Sequence, residues 1–116
     1  MSKRKPTLYL QDILSSINNI QEYVKGMTFE VFIRDNKTMH AVVRNFEIIG
    51  EAAKNMPQEL IAKYPEIPWK EMVSMRNKIL HEYFGVDTEI LWKTIQEDIP
   101  SLKEQIQCLP ELSQTQ

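Results

Sequence analysis

Glycine is scarce in this chain, 3 residues in 116, and cysteine scarcer, with Cys108 standing alone. So few glycines leave no glycine-rich loop to cradle a phosphate, and they argue against a loop-rich β domain. One cysteine can form no internal disulfide, and no Cys/His cluster has the spacing of a zinc site. No apolar run approaches the roughly 20 residues that cross a bilayer. The opening "MSKRKPTLYLQD" has a basic cluster followed by polar residues, not the apolar core of a secretory signal, so a cytoplasmic location is expected. Positive charge is also in short supply. With 14 basic and 16 acidic side chains the net charge is −2, which excludes a protein that coats nucleic acid by neutralising phosphates but leaves room for a locally positive cleft. Repeats, low-complexity stretches, strand-like alternation and a Ser or Cys nucleophile motif are all missing.

Hydrophobic residues make up 42% of the sequence, enough for one packed core in a single domain, 1–116, with an ordered part expected over about 6–109. Leu10, Ile13, Leu14, Ile17, Ile20 and Val24 recur at helical spacing, with Thr7 as N-cap and Gly26 as stop. Thr28 caps a short helix, "FEVFIR". Asp35 or Asn36 opens a long one whose stripe is Met39, Val42, Val43, Phe46, Ile49, Ala53 and Met56. Pro57 ends that helix or begins a short turn, and "YPEIPW" forms a rigid corner because each residue before proline is pushed out of helical geometry. Pro68 suits the first turn of the next helix, whose buried side is Trp69, Met72, Val73, Ile79 and Leu80, with Gly85 at its C′ position. Asp87 caps a helix through Leu91, Trp92 and Ile95, and Pro100 starts a last one carrying Leu102, Ile106 and Leu109. The expected fold is all-α, an antiparallel bundle of four or five helices.

One stretch breaks this pattern. In "RNKILHEYFG", residues 76–85, Arg76 occupies a place where the apolar stripe calls for a hydrophobe. Tyr83, about two turns on, shares its face, whereas His81 is rotated from Arg76 by roughly 140°. An unbroken helix therefore aims Arg76 and His81 in different directions. They meet on one phosphate only if the helix end unwinds near Gly85 or if two protomers each contribute, which points to a homodimer. The plainer alternative is a snorkelling or ion-paired arginine and a solvated histidine at a helix end. On the long helix Arg44, Glu47 and Glu51 share one polar stripe, by itself a solvated ladder. If that helix faces the Trp69 helix, the stripe borders the same cleft and orients Arg76. His40 has no ligand cluster around it and reads as structural, so no metal site and no cofactor are expected. Trp69 and Trp92 read as core anchors.

The form Arg, four residues, His, one residue, Tyr resembles the Arg-x4–6-His motif of the HEPN superfamily, in particular its HepT-like toxins. The likeness extends through "DILSSINNIQEYVKGMTFEVF", "AVVRNFEIIGEAAKNM" and "YPEIPWKEMVSMRNKILHEYFGVDTEILWKTIQEDIPSLKEQI", in the family's order. The resemblance implies a dimerising HEPN-like helical bundle and a metal-independent endoribonuclease, the toxin of a toxin–antitoxin pair. Its partner would be a minimal nucleotidyltransferase antitoxin that adenylylates the motif tyrosine. By position Arg76 and His81 take the catalytic roles and Tyr83 the modification site, with Asn77 a weaker candidate inside the motif. The substrate would be RNA, a tRNA end and mRNA both remaining open, and no membrane is involved. The competing reading is a non-catalytic, nucleotide-binding or regulatory dimer that partners a nucleotidyltransferase. Metal-free cleavage through the 2′-hydroxyl needs a base, an acid and a cation at the phosphorane. One histidine serves one proton step at a time, so two copies around a common cleft suit the chemistry.

Overall fold

A computed structural model describes residues 4–81 and 87–113, the side chains of 78–81 excepted. Among the described residues the chain is helical, with no strand: α1 (Pro6–Tyr23), α2 (Phe29–Arg34), α3 (Asn36–Lys54), α4 (Gln58–Lys63), α5 (Trp69–His81), α6 (Thr88–Lys93), a π-helical segment Thr94–Asp98, α7 (Ile99–Gln107) and a final 3₁₀ turn, Pro110–Ser113. The all-α class expected from the sequence is what forms among the described residues.

The long helix α3 lies between α1 and α5 and packs along both, while α7 and the 3₁₀ turn close over α1. Its stripe is buried almost as the periodicity predicts, with Val42, Val43, Phe46, Ile49, Ala53 and Met56 in the core and Met39 half-buried. From α1, Leu10, Ile13, Ile17 and Ile20 are fully enclosed against it. Asn45 is the polar exception inside this seam; its amide donates to the Ala41 carbonyl at 2.8 Å and its oxygen accepts from Asn19 at 3.2 Å. Two helix starts follow the sequence closely: Thr28 Oγ1 accepts from the Val31 amide at 3.2 Å, and Asp35 Oδ1 from Thr38 at 3.0 Å. Gly26, with φ of +76°, turns the chain between α1 and α2 in a conformation that costs a side chain energy.

Two expectations need correcting. Thr7 is not the N-cap of α1. Lys5 stands there without a side-chain cap, and Pro6 takes the first helical position, where its missing N–H is not needed. Thr7 lies within the helix, buried, and its hydroxyl donates to the Glu111 carbonyl at 2.6 Å. Pro100 does stand in the first turn of the last helix, α7, but that helix is not separated from α6 as expected. Residues 88–107 are one continuous helical run whose middle widens to π geometry, with the Ile99 amide bonding Thr94, five residues back. A proline inside an α-helix clashes with the carbonyl four residues earlier, and the wider turn immediately before Pro100 removes that conflict.

The far end is held by a small polar clasp. Glu111 accepts from the Tyr64 hydroxyl at 2.8 Å and from Lys63 Nζ at 2.9 Å, tying the 3₁₀ turn to α4. The Lys63 hydrogen bond holds the Glu111 carboxyl below its ordinary value, and the Glu111 hydrogen bond pushes the Tyr64 phenol up. The Tyr64 carbonyl in turn accepts from the Trp69 indole at 3.0 Å, which fixes the start of α5. Trp92 packs on Phe32 with ring centroids 5.1 Å apart. Both tryptophans are the core anchors that their spacing suggested.

Candidate active site

The position of Arg76 is set by a glycine on the neighbouring helix. Gly50 lies mid-way along α3, where glycine costs roughly 1 kcal/mol relative to alanine, so its presence asks for a packing reason. The reason is α5. A Cβ on residue 50 would collide with the Arg76 Cβ and stand 2.8 Å from the Met72 carbonyl oxygen. Only a residue without a side chain lets the two helices close to this distance. Arg76 therefore leaves the seam directly beside α3, where the apolar stripe would otherwise have continued.

Its guanidinium then meets Glu51. Arg76 Nη2 lies 2.9 Å from Glu51 Oε2, and Nη1 donates to Asn77 Oδ1 at 3.1 Å. The Arg76 side chain is only 20% exposed, against 54% for Glu51, so the arginine is the more firmly placed partner. Arg44 and Glu47 lie two turns and one turn before Glu51 on α3, 3.9 Å apart, beyond hydrogen-bonding reach. The polar stripe of α3 thus borders Arg76, and Glu51 is the member that pairs with it. Asn77 is exposed and contributes through its contact with Arg76. His40 is exposed on α3.

Arg44, Glu47, Glu51 and Arg76 line a shallow hollow of about 220 Å³ whose third wall is the start of α1. Along that wall Arg4 and Asp12 pair at 2.7 Å, and the Arg4 guanidinium sits 4.9 Å from the centre of the Tyr9 ring. None of these three residues was singled out in the sequence. Nothing in the local pattern around them points to a site, because their link to Arg76 exists only once α1 has packed on α3. Gly50, by contrast, carried a legible signal as a glycine inside a helix.

Helix α5 runs unbroken through His81, so the backbone keeps the rotation of roughly 140° between Arg76 and His81. The His81 side chain lies outside the described residues, as do those of Ile79 and Leu80; Tyr83 and the expected stop at Gly85 lie outside them altogether. Immediately beyond, Asp87 caps α6, its carboxylate accepting from Glu89 at 2.9 Å and Ile90 at 3.2 Å. Among the described residues no group of three or more His, Cys, Asp or Glu side chains could hold a metal ion, and no helix is long and apolar enough to cross a membrane.

The comparisons with known proteins agree with this arrangement. The family model "Ribonuclease HepT-like" matches residues 13–109. The chain is 54% identical over 101 residues to the "Probable ribonuclease HepT" of Thermococcus cleftensis, spanning 87% of this chain and 92% of that one. It is 47% identical over 103 residues to a "Putative RNase" of Caldanaerobacter subterraneus, spanning 89% and 92%. A third relative, the "Gamma-glutamylcyclotransferase and putative RNase" of Methanocaldococcus jannaschii, is 48% identical over 99 residues, which are 45% of its length. No solved structure matches the chain significantly. The matched region contains both α3 with its glycine and α5 with its arginine, and by this likeness over most of its length the chain belongs to the HepT-like ribonuclease family, a family of ribonuclease enzymes.

Proposed function

We propose that this protein is a metal-independent endoribonuclease, the toxin of a toxin–antitoxin pair, acting as a homodimer in the cytoplasm. The observation that carries the reading is Arg76: a cation lodged in the α3–α5 seam by Gly50 and oriented by Glu51 at 2.9 Å, five residues before His81 on one continuous helix. Arg76 binds the scissile phosphate and stabilises charge on the phosphorane through its fork of N–H donors. His81 moves protons, with a reference pKa of about 6.5 that suits either direction near neutral pH.

In the reaction the 2′-oxygen attacks phosphorus and loses its proton to a base. The bond from phosphorus to the 5′-oxygen breaks, and an acid protonates the leaving oxygen, giving a cyclic phosphate and a free 5′-hydroxyl. Two proton roles and one histidine per chain favour two copies around a shared cleft. The rotation between Arg76 and His81 favours the same arrangement, since His81 of one protomer can then face Arg76 of its partner. Tyr83 lies near the Arg76 face by sequence. Adenylylation there by a nucleotidyltransferase antitoxin adds bulk and negative charge where the RNA phosphate must sit, which blocks the site.

The test is cleavage of RNA by purified, partner-free protein in excess EDTA, with His81→Ala prepared alongside. The wild type cuts, and the variant loses about 10² to 10⁴ of the rate. Full activity in His81→Ala removes the assignment of His81. A folded, dimeric and unmodified wild type that cuts neither tRNA nor total RNA favours a non-catalytic nucleotide-binding dimer instead.

A further inference from the structure

The sequence has four arginines, Arg4, Arg34, Arg44 and Arg76, and three of them line one hollow beside the candidate catalytic centre. Among the described residues no lysine does. Stability does not account for this concentration. Arg4 and its partner Asp12 are 46% and 39% exposed, and Arg44 is 70% exposed with its carboxylate 3.9 Å away. Pairs of this kind contribute little to stability. Arginine, unlike lysine, offers a planar fork that matches phosphate oxygens, and it is the residue chosen where phosphates must be held in a fixed geometry.

We propose that Arg4 and Arg44 form an RNA-backbone subsite that holds phosphates flanking the one at Arg76. Tyr9 is its positioning residue, keeping the Arg4 guanidinium over its ring at 4.9 Å. Although the net charge is −2, three of the four guanidinium groups are gathered at this one place, matched by the carboxylates of Asp12, Glu47 and Glu51. Without RNA, Asp12 and Glu51 hold Arg4 and Arg76, while Glu47 leaves Arg44 loose at 3.9 Å. A phosphate must displace the carboxylates it replaces, so binding is modest in strength and strongly dependent on salt.

This inference rests on the ribonuclease reading, and the experiment separates the two. A single-stranded RNA oligonucleotide carrying 2′-O-methyl at every position lacks the nucleophile, so its binding is measurable without cleavage. Its affinity is followed by fluorescence anisotropy across a salt series for the wild type, Arg4→Gln, Arg44→Gln and Lys25→Gln, and the KM for cleavage of the unmodified oligonucleotide is measured alongside. Lys25 lies beyond the opposite end of α1, about 30 Å from Arg4 at 1.5 Å of helix rise per residue. Each arginine removed makes the slope of log affinity against log salt shallower by about 0.7, and Lys25→Gln leaves it unchanged. The cleavage loss in the arginine variants falls on KM more than on kcat. Tyr9→Leu shifts KM in the same sense without altering the slope by a full phosphate contact. If the wild type cuts RNA while Arg4→Gln and Arg44→Gln keep its slope and KM, the subsite is wrong and the ribonuclease reading stands. If the wild type neither binds nor cuts RNA, both fall together. Equal changes in Lys25→Gln reduce the effect to net charge and overturn the subsite.

Discussion

Adding one methyl group at Gly50 tests how Arg76 is placed. Two opposing effects decide the outcome. Alanine is the better helix former in the middle of α3, by about 1 kcal/mol. Against this, the new Cβ meets the Arg76 Cβ, the Met72 carbonyl oxygen at 2.8 Å and the Arg76 Cγ at 3.0 Å. A backbone carbonyl and a Cβ on a helix cannot swing aside as a flexible side-chain end can, so α5 must move as a body. Overpacking of this type costs about 1–3 kcal/mol, and the rigidity of the obstructing atoms places this case at the upper end. The balance is a net destabilisation of about 1–2 kcal/mol, or about 4–8 °C in Tm for a domain of this size. The functional loss is larger than the loss of stability. A displacement of about 1 Å at a phosphate-binding cation can cost on the order of 10²-fold in rate. Calorimetry and RNA cleavage on Gly50→Ala measure the two together. Gly26→Ala is the comparison: its φ of +76° also penalises a side chain, by about 1 kcal/mol, with nothing within 4 Å to clash. Gly26→Ala should lose stability and keep its specific activity. A Gly50→Ala protein that melts higher than wild type and cuts RNA at the wild-type rate would refute the close-approach argument.

Glu51→Gln removes the charge that orients Arg76 but keeps its shape. It should lower kcat several-fold with little change in KM, the reverse of the split expected for Arg44→Gln, and steady-state kinetics on the same RNA would expose a wrong assignment. The Glu111 carboxyl has a depressed folded-state pKa, so the stability it contributes is present above its ordinary value and lost as pH falls through the folded value. The Tm gap between wild type and Glu111→Gln is therefore widest near neutral pH and closes on acidification below the ordinary carboxylate range; a gap that widens in acid contradicts the clasp. Tyr64→Phe removes one hydrogen bond to Glu111 and should cost about 1 kcal/mol in chemical denaturation. Asp35→Ala removes the cap of α3 and should cost about 1 kcal/mol, with no change in m-value.

Where a residue's role was local, the sequence revealed it. Thr28 and Asp35 cap the helices that their side chains predict, because the bond joins groups three residues apart. The α3 stripe is buried because helical periodicity and burial are the same geometric fact. Thr7 was misread because its true partner, the Glu111 carbonyl, is remote, and a hydroxyl beside a helix start looks like a cap until that partner is known. Pro100 was read as a helix start by the rule that usually holds, and only the π segment before it lets the helix continue. Arg76 stood out in the sequence because it interrupts an apolar stripe. Arg4, Tyr9 and Asp12 interrupt nothing, and their place beside Arg76 follows from the packing of α1 on α3.

The hydrogen bond from Thr7 to the Glu111 carbonyl joins residues 104 positions apart. At synthesis rates of about 5–20 residues per second, Thr7 leaves the ribosome roughly 5–20 s before its acceptor is made. During that interval α1 can lay its apolar face on α3 as soon as α3 emerges, and α5 can deliver Arg76 to the seam. The 3₁₀ turn and its clasp come later. The nascent chain thus assembles the walls of the hollow beside Arg76 before the fastening between residues 7 and 111 can form.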